Sequence, residues 1–186
     1  VPYDVVSTKE ARSMAAGKPL SFLHVSRAEI DLPADTDPYA PVVYETAARS
    51  FARLRTEAPL VQEATRSVYF YRLRMGGHEQ TGLAACFSVD EYEGDLIRKH
   101  ERTRKDKEDD RTRHIVELRA QTGPVFLTYV ASPDVDAVAA RVTAGAPLFD
   151  FRADDGVQHS VWRVPDADTA LLVEALGRIP VLYIAD

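Results

Sequence analysis

The sequence has one cysteine, Cys86, in 186 residues, so an internal disulfide is excluded, and no Cys/His spacing matches a metal-binding motif. Such sparing use of cysteine fits a reducing compartment, and the expected location is the cytoplasm. No apolar run approaches the roughly 20 residues of a membrane span, and no signal-peptide pattern opens the chain. Gly-rich dinucleotide and phosphate loops, the GxSxG elbow, the HExxH helix and the EF-hand loop are all missing, so no familiar nucleotide cradle or hydrolytic motif is present. Positive charge is in deficit, with 23 Lys and Arg against 29 Asp and Glu and a net charge of −6. That balance disfavours duplex nucleic acid as a partner. Repeats, linkers and low-complexity segments are lacking too.

What remains is ordinary for a globular chain, at 45% hydrophobic and 28% charged residues. The length suits one full domain or one lobe of a larger one, with a real core. Val1 opens directly in strand-like text, and Asp186 follows the apolar run Val181-Leu182-Tyr183-Ile184-Ala185. The expectation is one globular fragment, residues 1–186, forming the N-terminal part of a longer protein cut just after Asp186.

Taken in order, Tyr3 to Val6 suggests a short strand. Ser7-Thr8-Lys9-Glu10 is a capping-box pattern opening a helix to about Ala16, with Gly17 beyond its end. Leu20 to Val25 reads as a strand, and Ser26 to Pro33 leaves it. Val42 to Glu57 is an amphipathic helix with Val43, Ala47, Phe51 and Leu54 on one face. Val68–Met75 and Gln80–Ser88 form a hairpin about Gly76-Gly77-His78-Glu79, and Leu148–Arg152 and Val157–Val164 form another about Asp154-Asp155-Gly156. Asp90 to Gly94 is a turn or short helix. Val125 to Val130 reads as a buried strand. Ser132-Pro133 opens a helix that Gly145 ends, Asp166 to Leu176 is a helix, and Val181 to Ala185 is the last strand. With no steady βαβ rhythm, the fold class is α+β: a mixed or antiparallel sheet with two hairpins, flanking helices and one long polar helix.

That polar helix is the most informative stretch. Ile97 to Leu118 consists of helix-forming residues without Gly or Pro, and between Arg98 and His114 it has no apolar residue. Helical spacing places Ile97, His100, Arg104, Lys107, Arg111, His114 and Leu118 on one stripe. Lys and Arg hold phosphate by charge, and Arg does so by a bidentate fork. His100 and His114 titrate near neutrality. The competing reading is a solvated helix laced by pairs such as Glu101–Lys105 and Arg104–Glu108. His100-Glu101 is the best acid/base pair by type. A second group, His24, Arg27, Glu29 and Asp31, follows a predicted strand end, against which stands a plain salt-bridged loop. Arg72, inside a strand, is expected to face solvent, His159 and Trp162 to point to opposite faces, and Cys86 to be a buried, inert thiol.

Several segments together resemble a known family. Pro2-Tyr3-Asp4-Val5-Val6, Ser21-Phe22-Leu23-His24-Val25, Glu29-Ile30-Asp31-Leu32-Pro33, Gln80-Thr81-Gly82, His100-Glu101-Arg102-Thr103, Lys107-Glu108-Asp109-Asp110-Arg111, Gly123-Pro124-Val125-Phe126-Leu127 and Tyr183-Ile184-Ala185-Asp186 are similar to the bacterial and archaeal domain of unknown function 1015. The resemblance implies a protein about twice this length, in which Tyr-Ile-Ala-Asp continues into Gly-His-His-Arg. That continuation resembles the phosphate-holding Gly-x-x-Arg box of the ParB-like and sulfiredoxin-like fold, whose members include nucleotide-binding partition proteins and a free-serine kinase. The implied function is transfer of a phosphoryl group to a small metabolite, such as free serine, with ATP or ADP and Mg²⁺. The alternatives are a ParB-like nucleotide-binding module without turnover and a phosphoester hydrolase. In this reading Glu101 and His100 are catalytic. Lys107, Arg111, Arg104 and Asp186 contact nucleotide or phosphate. His24, Arg27, Glu29, Asp31 and Gln80 hold the substrate. No residue is assigned as a dedicated metal ligand, and the partners are a nucleotide or another small molecule, with no membrane.

Overall fold

Ser7 and Glu10 close the expected capping box: the Ser7 hydroxyl accepts from the Glu10 amide, and the Glu10 carboxylate accepts from the Ser7 amide at 2.8 Å. They start helix α1 (Thr8–Ala15), and the chain turns beyond it at Gly17, whose φ of +71° suits glycine. The computed structural model describes residues 5–99 and 104–185. Within it the backbone gathers into two compact units, Val1–Gln62 with Glu101–Pro124 and Glu63–His100 with Val125–Asp186.

The first unit is helical. The strand expected at Leu20–Val25 is instead the one-turn helix α2 (Leu23–Ser26), followed by a 3₁₀ turn, Ala28–Asp31. The reason lies in packing. Val25 is fully buried while Leu20 and Phe22 stay about two-fifths exposed; a single turn buries Val25 and Ala28 together, which an unpaired strand cannot. They join Val43, Ala47 and Leu54 of α3 (Pro41–Glu57) and Leu118 of α5 (Lys105–Leu118) in one core. Pro41 occupies the first turn of α3, where its missing N–H costs nothing.

The long polar helix is shorter than its sequence suggests. It starts at Lys105, and Ile97–Arg98 is a strand. Ile97 is 4% exposed, so the last apolar residue before the charged run is taken into a sheet. His100, Glu101, Arg102 and Thr103 lie outside the described residues, as do Tyr3 and Asp186. Val116, near the end of the helix, is exposed. Arg119, in the left-handed region, ends the helix.

The second unit contains a four-stranded antiparallel sheet. Its strands are β1 (Tyr69–Met75), β2 (His78–Ala84), β5 (Phe149–Arg152) and β6 (Gln158–Arg163), in the order β2-β1-β6-β5. Both expected hairpins are present. Met75 pairs with His78 across Gly76-Gly77, and Gly76 and Gly156 take positive φ in the two turns. Helices α6 (Pro133–Thr143) and α7 (Asp166–Gly177) contribute Val135, Val138, Leu172 and Ala175 to a core with Phe70 and Trp162. His159 stacks between Phe151 and Tyr71, on the opposite parity from Trp162, as expected. The choice of face is unexpected. The more apolar parity of β1 (Tyr71, Leu73, Met75) remains exposed, and Arg72 shares the core parity with Phe70. Arg72 therefore lies over the Trp162 ring, 4.9 Å from its centroid, instead of pointing to solvent. Cys86 lies beyond the end of β2 and is exposed, not buried.

A smaller sheet in the same unit has the order β3-β7-β4, from Ile97–Arg98, Leu182–Ile184 and Leu127–Thr128. β3 runs parallel to β7, and β4 antiparallel. The buried strand expected over Val125–Val130 shrinks to the two residues of β4. It lies at a sheet edge, and Val125, Phe126 and Val130 are about half exposed or more. A short helix, α4 (Val89–Glu93), precedes β3. The architecture is α+β with mixed strand directions.

Candidate functional site

From Lys107 onward the cationic stripe faces inward. Lys107 and Arg111 are half-buried, and His114 and Leu118 are buried. Contacts from α3 and the loop before it explain how a helix without apolar residues over its first turns is held. The Tyr44 hydroxyl donates to Asp110 at 2.6 Å. Arg111 forks onto Asp110, and Arg113 lies over the Tyr44 ring. Lys107 donates to the Tyr39 hydroxyl at 3.0 Å. Burial, with the Asp110 bond second, pushes the Tyr44 hydroxyl well above the usual phenol range. Arg104, at the N-cap, is exposed and pairs with Asp106, and Lys105 pairs with Asp109. Tyr39, Tyr44 and Asp110 were absent from the sequence-based site. The signal for Tyr44 was its position beside Val43 on the buried face of a clear amphipathic helix.

His114 donates from Nε2 to the carbonyl of Val25 at 3.0 Å, tying α5 to α2. Burial holds its imidazole below the ordinary value of 6.5. The unfolded chain therefore takes up a proton near pH 6.5 that the folded chain binds only at lower pH, so stability is full above that range and falls as pH drops through it. The expected slope reaches about 1.4 kcal/mol per pH unit. Urea midpoints measured between pH 7.5 and 5 should fall in the wild type and stay flatter in His114→Gln, which keeps a donor but does not titrate.

The second candidate group is engaged within its own unit. Arg27 Nε meets Glu29 Oε1 at 2.7 Å, and the other guanidinium nitrogens donate to the Val6 carbonyl and to the Thr8 hydroxyl. Glu29 is 6% exposed. His24 Nδ1 lies 2.8 Å from Asp31 Oδ2, and its Nε2 lies 3.2 Å from the Lys18 carbonyl. Arg12 spans the backbone carbonyls of Ile30, Glu29 and Leu32. Together these contacts pin the 3₁₀ turn to α1 and α2. Gln80 belongs to the other unit, on edge strand β2 opposite Leu73.

The second unit offers a different arrangement at its small sheet. Ile97 pairs with Leu182 and Arg98 with Tyr183 in parallel register, so the carboxyl ends of β3 and β7 are neighbours. Lys99, directly after β3, stacks on the Tyr92 ring. Ala185, directly after β7, donates its amide to the Phe126 carbonyl. The residues next in sequence are His100-Glu101 and Asp186. Among the described residues no group of three His, Cys, Asp or Glu side chains could hold a metal ion, and no helix is long and apolar enough to cross a membrane.

The family model described as "Protein of unknown function (DUF1015)" matches residues 1–186. No curated protein and no solved structure matches the chain.

Proposed function

The chain belongs to the DUF1015 family of proteins of unknown function, and from that premise we propose that the intact protein is a nucleotide- and Mg²⁺-dependent phosphotransferase acting on a small metabolite, with a free amino acid such as serine as the candidate acceptor. The observation that carries this reading is the parallel pairing of β3 with β7. It makes two strand ends neighbours, a position where parallel sheets commonly take a ligand; in sequence those strands are followed by His100-Glu101 and by Asp186, which lie outside the described residues. Phosphoryl transfer needs little covalent chemistry from a protein; it needs positioned phosphates, neutralised charge and a base for the acceptor hydroxyl. Glu101 is the base in this reading, with His100 beside it. Mg²⁺ is held largely by phosphate oxygens with one or two carboxylates, and no residue of this chain is assigned to it as a dedicated ligand. When bound, it would neutralise charge on the phosphates. Arg104, Lys107 and Arg111 are assigned to phosphate by charge type alone. His24, Arg27, Glu29 and Asp31 carry less weight as substrate ligands, because their hydrogen bonds are made within the fold.

The test uses a chain that includes the sequence following Asp186. Its melting temperature with ATP or ADP plus Mg²⁺ should rise, because a ligand that binds only the folded state stabilises by mass action, about 2.7 kcal/mol at one hundred times Kd. Asp186→Asn should reduce the shift. ATP consumption that depends on an added amino acid supports transfer. Consumption without any acceptor points to hydrolysis, binding without consumption points to a non-catalytic nucleotide module, and no shift with any nucleotide overturns the reading.

A further inference from the structure

The core face of the four-stranded sheet is apolar over only part of its length. Phe70 and Trp162 lie under α6 and α7; beyond them the same face turns polar, in two rungs that cross the strands. One rung aligns Thr81, Arg72, Ser160 and Asp150, and the next aligns Glu79, Arg74, Gln158 and Arg152. Side chains from both rungs, with Pro147 and the turn glycines Gly76 and Gly156, line an open concavity of about 540 Å³. That volume suits a small-molecule ligand.

The floor is held in place before any ligand arrives. Arg72 donates to the hydroxyls of Thr81 and Thr143, pairs with Glu79 and stacks on Trp162. Arg74 forks onto Glu79. Asp150 accepts from Gln158 and Ser160, both at 2.7 Å and both on Oδ1, which leaves Oδ2 to accept from a ligand. These two bonds also hold its carboxyl below the usual range. Arg152 differs from the other two arginines. Its Nε donates to the Gly156 carbonyl at 3.1 Å, and among the described residues its guanidinium meets no carboxylate. A solvated strand face would need neither this alignment nor a guanidinium laid on a buried indole.

We propose that this concavity binds a small phosphate monoester bearing a free hydroxyl, with its phosphate on Arg152 and Arg74 and its hydroxyl on Asp150 Oδ2. Arg74 and Arg152 sit in one rung on strands two apart, roughly 10 Å between backbones, with the Gln158 amide between them. A carboxylate is satisfied by a single guanidinium fork, whereas a tetrahedral phosphate offers oxygens to two. The site stands apart from the strand-end reading and does not depend on it.

Calorimetric titration of the 186-residue chain with glycerol 3-phosphate, inorganic phosphate and glycerol tests the proposal. Glycerol 3-phosphate should bind most tightly. Arg152→Ala should weaken it and inorganic phosphate by roughly tenfold or more, and because Arg152 is exposed the variant should keep the wild-type melting temperature. Asp150→Asn should weaken glycerol 3-phosphate but leave inorganic phosphate as tight or tighter, since it removes a negative charge. The absence of binding heat at millimolar ligand, or equal affinity in Arg152→Ala and wild type, overturns the site. Equal effects of Asp150→Asn on both ligands overturn the hydroxyl assignment.

Discussion

Arg27→Ala should destabilise the first unit by about 3–5 kcal/mol, the cost of leaving a buried charge without its partner. Glu29 is 6% exposed, and its carboxylate oxygen Oε1 lies 2.7 Å from Arg27 Nε. With the guanidinium removed, the Thr8 hydroxyl, at 3.3 Å, is the remaining donor to that oxygen among the described residues. Arg27 also donates to the Val6 carbonyl, so the same change releases the segment before α1. Denaturant unfolding followed by hydrogen exchange at α2 and the 3₁₀ turn reads the effect. The double variant Arg27→Met/Glu29→Leu should recover most of the loss, because replacing both members of a buried pair by apolar groups is often neutral. If Arg27→Ala alone unfolds no more easily than wild type, the pair is not structural and its role as a substrate contact gains weight.

Phe70→Ala should cost the second unit a similar amount, about 3–5 kcal/mol, through lost burial and the cavity left behind. Phe70 is 2% exposed and packs in one cluster with Trp162, Val138 and Leu172, so one truncation removes contacts from the sheet and both helices. Leu73→Ala, three residues on in the same strand, should cost less than about 1 kcal/mol, because its side chain lies on the face left 37% exposed. The two midpoints, compared at one denaturant slope, test which parity of β1 is the core. Equal losses would mean that both faces are packed.

That parity is also where the sequence misleads. Read alone, Tyr71, Leu73 and Met75 make the more apolar side of β1, and Arg72 and Arg74 look like the solvent side. The outcome is reversed because one large aromatic, Phe70, paired across the sheet with Trp162, provides the helix-covered end, and the arginines continue that face past the helices. The hairpins were legible because the Gly-Gly and Asp-Asp-Gly turns are local chemistry, and so was the capping box at Ser7. Helix α2 was not. Leu20 to Val25, with four apolar residues among six, fits strand or helix equally, and among the described residues no strand pairs with it. The anchoring of α5 was hidden for a related reason: a buried histidine bonded to a backbone carbonyl and a tyrosine bonded to an aspartate replace an apolar stripe, and neither is visible as hydrophobic periodicity. Of the candidate site residues, the sequence brought out those with charge, several of which pair with near neighbours, as Arg27 does with Glu29 and His24 with Asp31; the tyrosines that meet Lys107 and Asp110 lie far back along the chain and carry no charge to mark them.

The interleaving of the two units has a consequence for synthesis. The second unit is interrupted by residues of the first, and β3 finds its neighbour β7 only across the interval from Ile97 to Leu182. Closing so long a loop has an entropic cost that local hairpins avoid. On a ribosome, the first unit has all its helices once α5 has emerged, and the β1–β2 hairpin has its turn. Ile97 must wait, its apolar side chain uncovered, until almost the whole of this sequence has been made. Strand β3 is therefore expected to be among the last elements protected during translation, and the stretch of nascent chain around it is where a chaperone would find a hydrophobic residue still unclaimed.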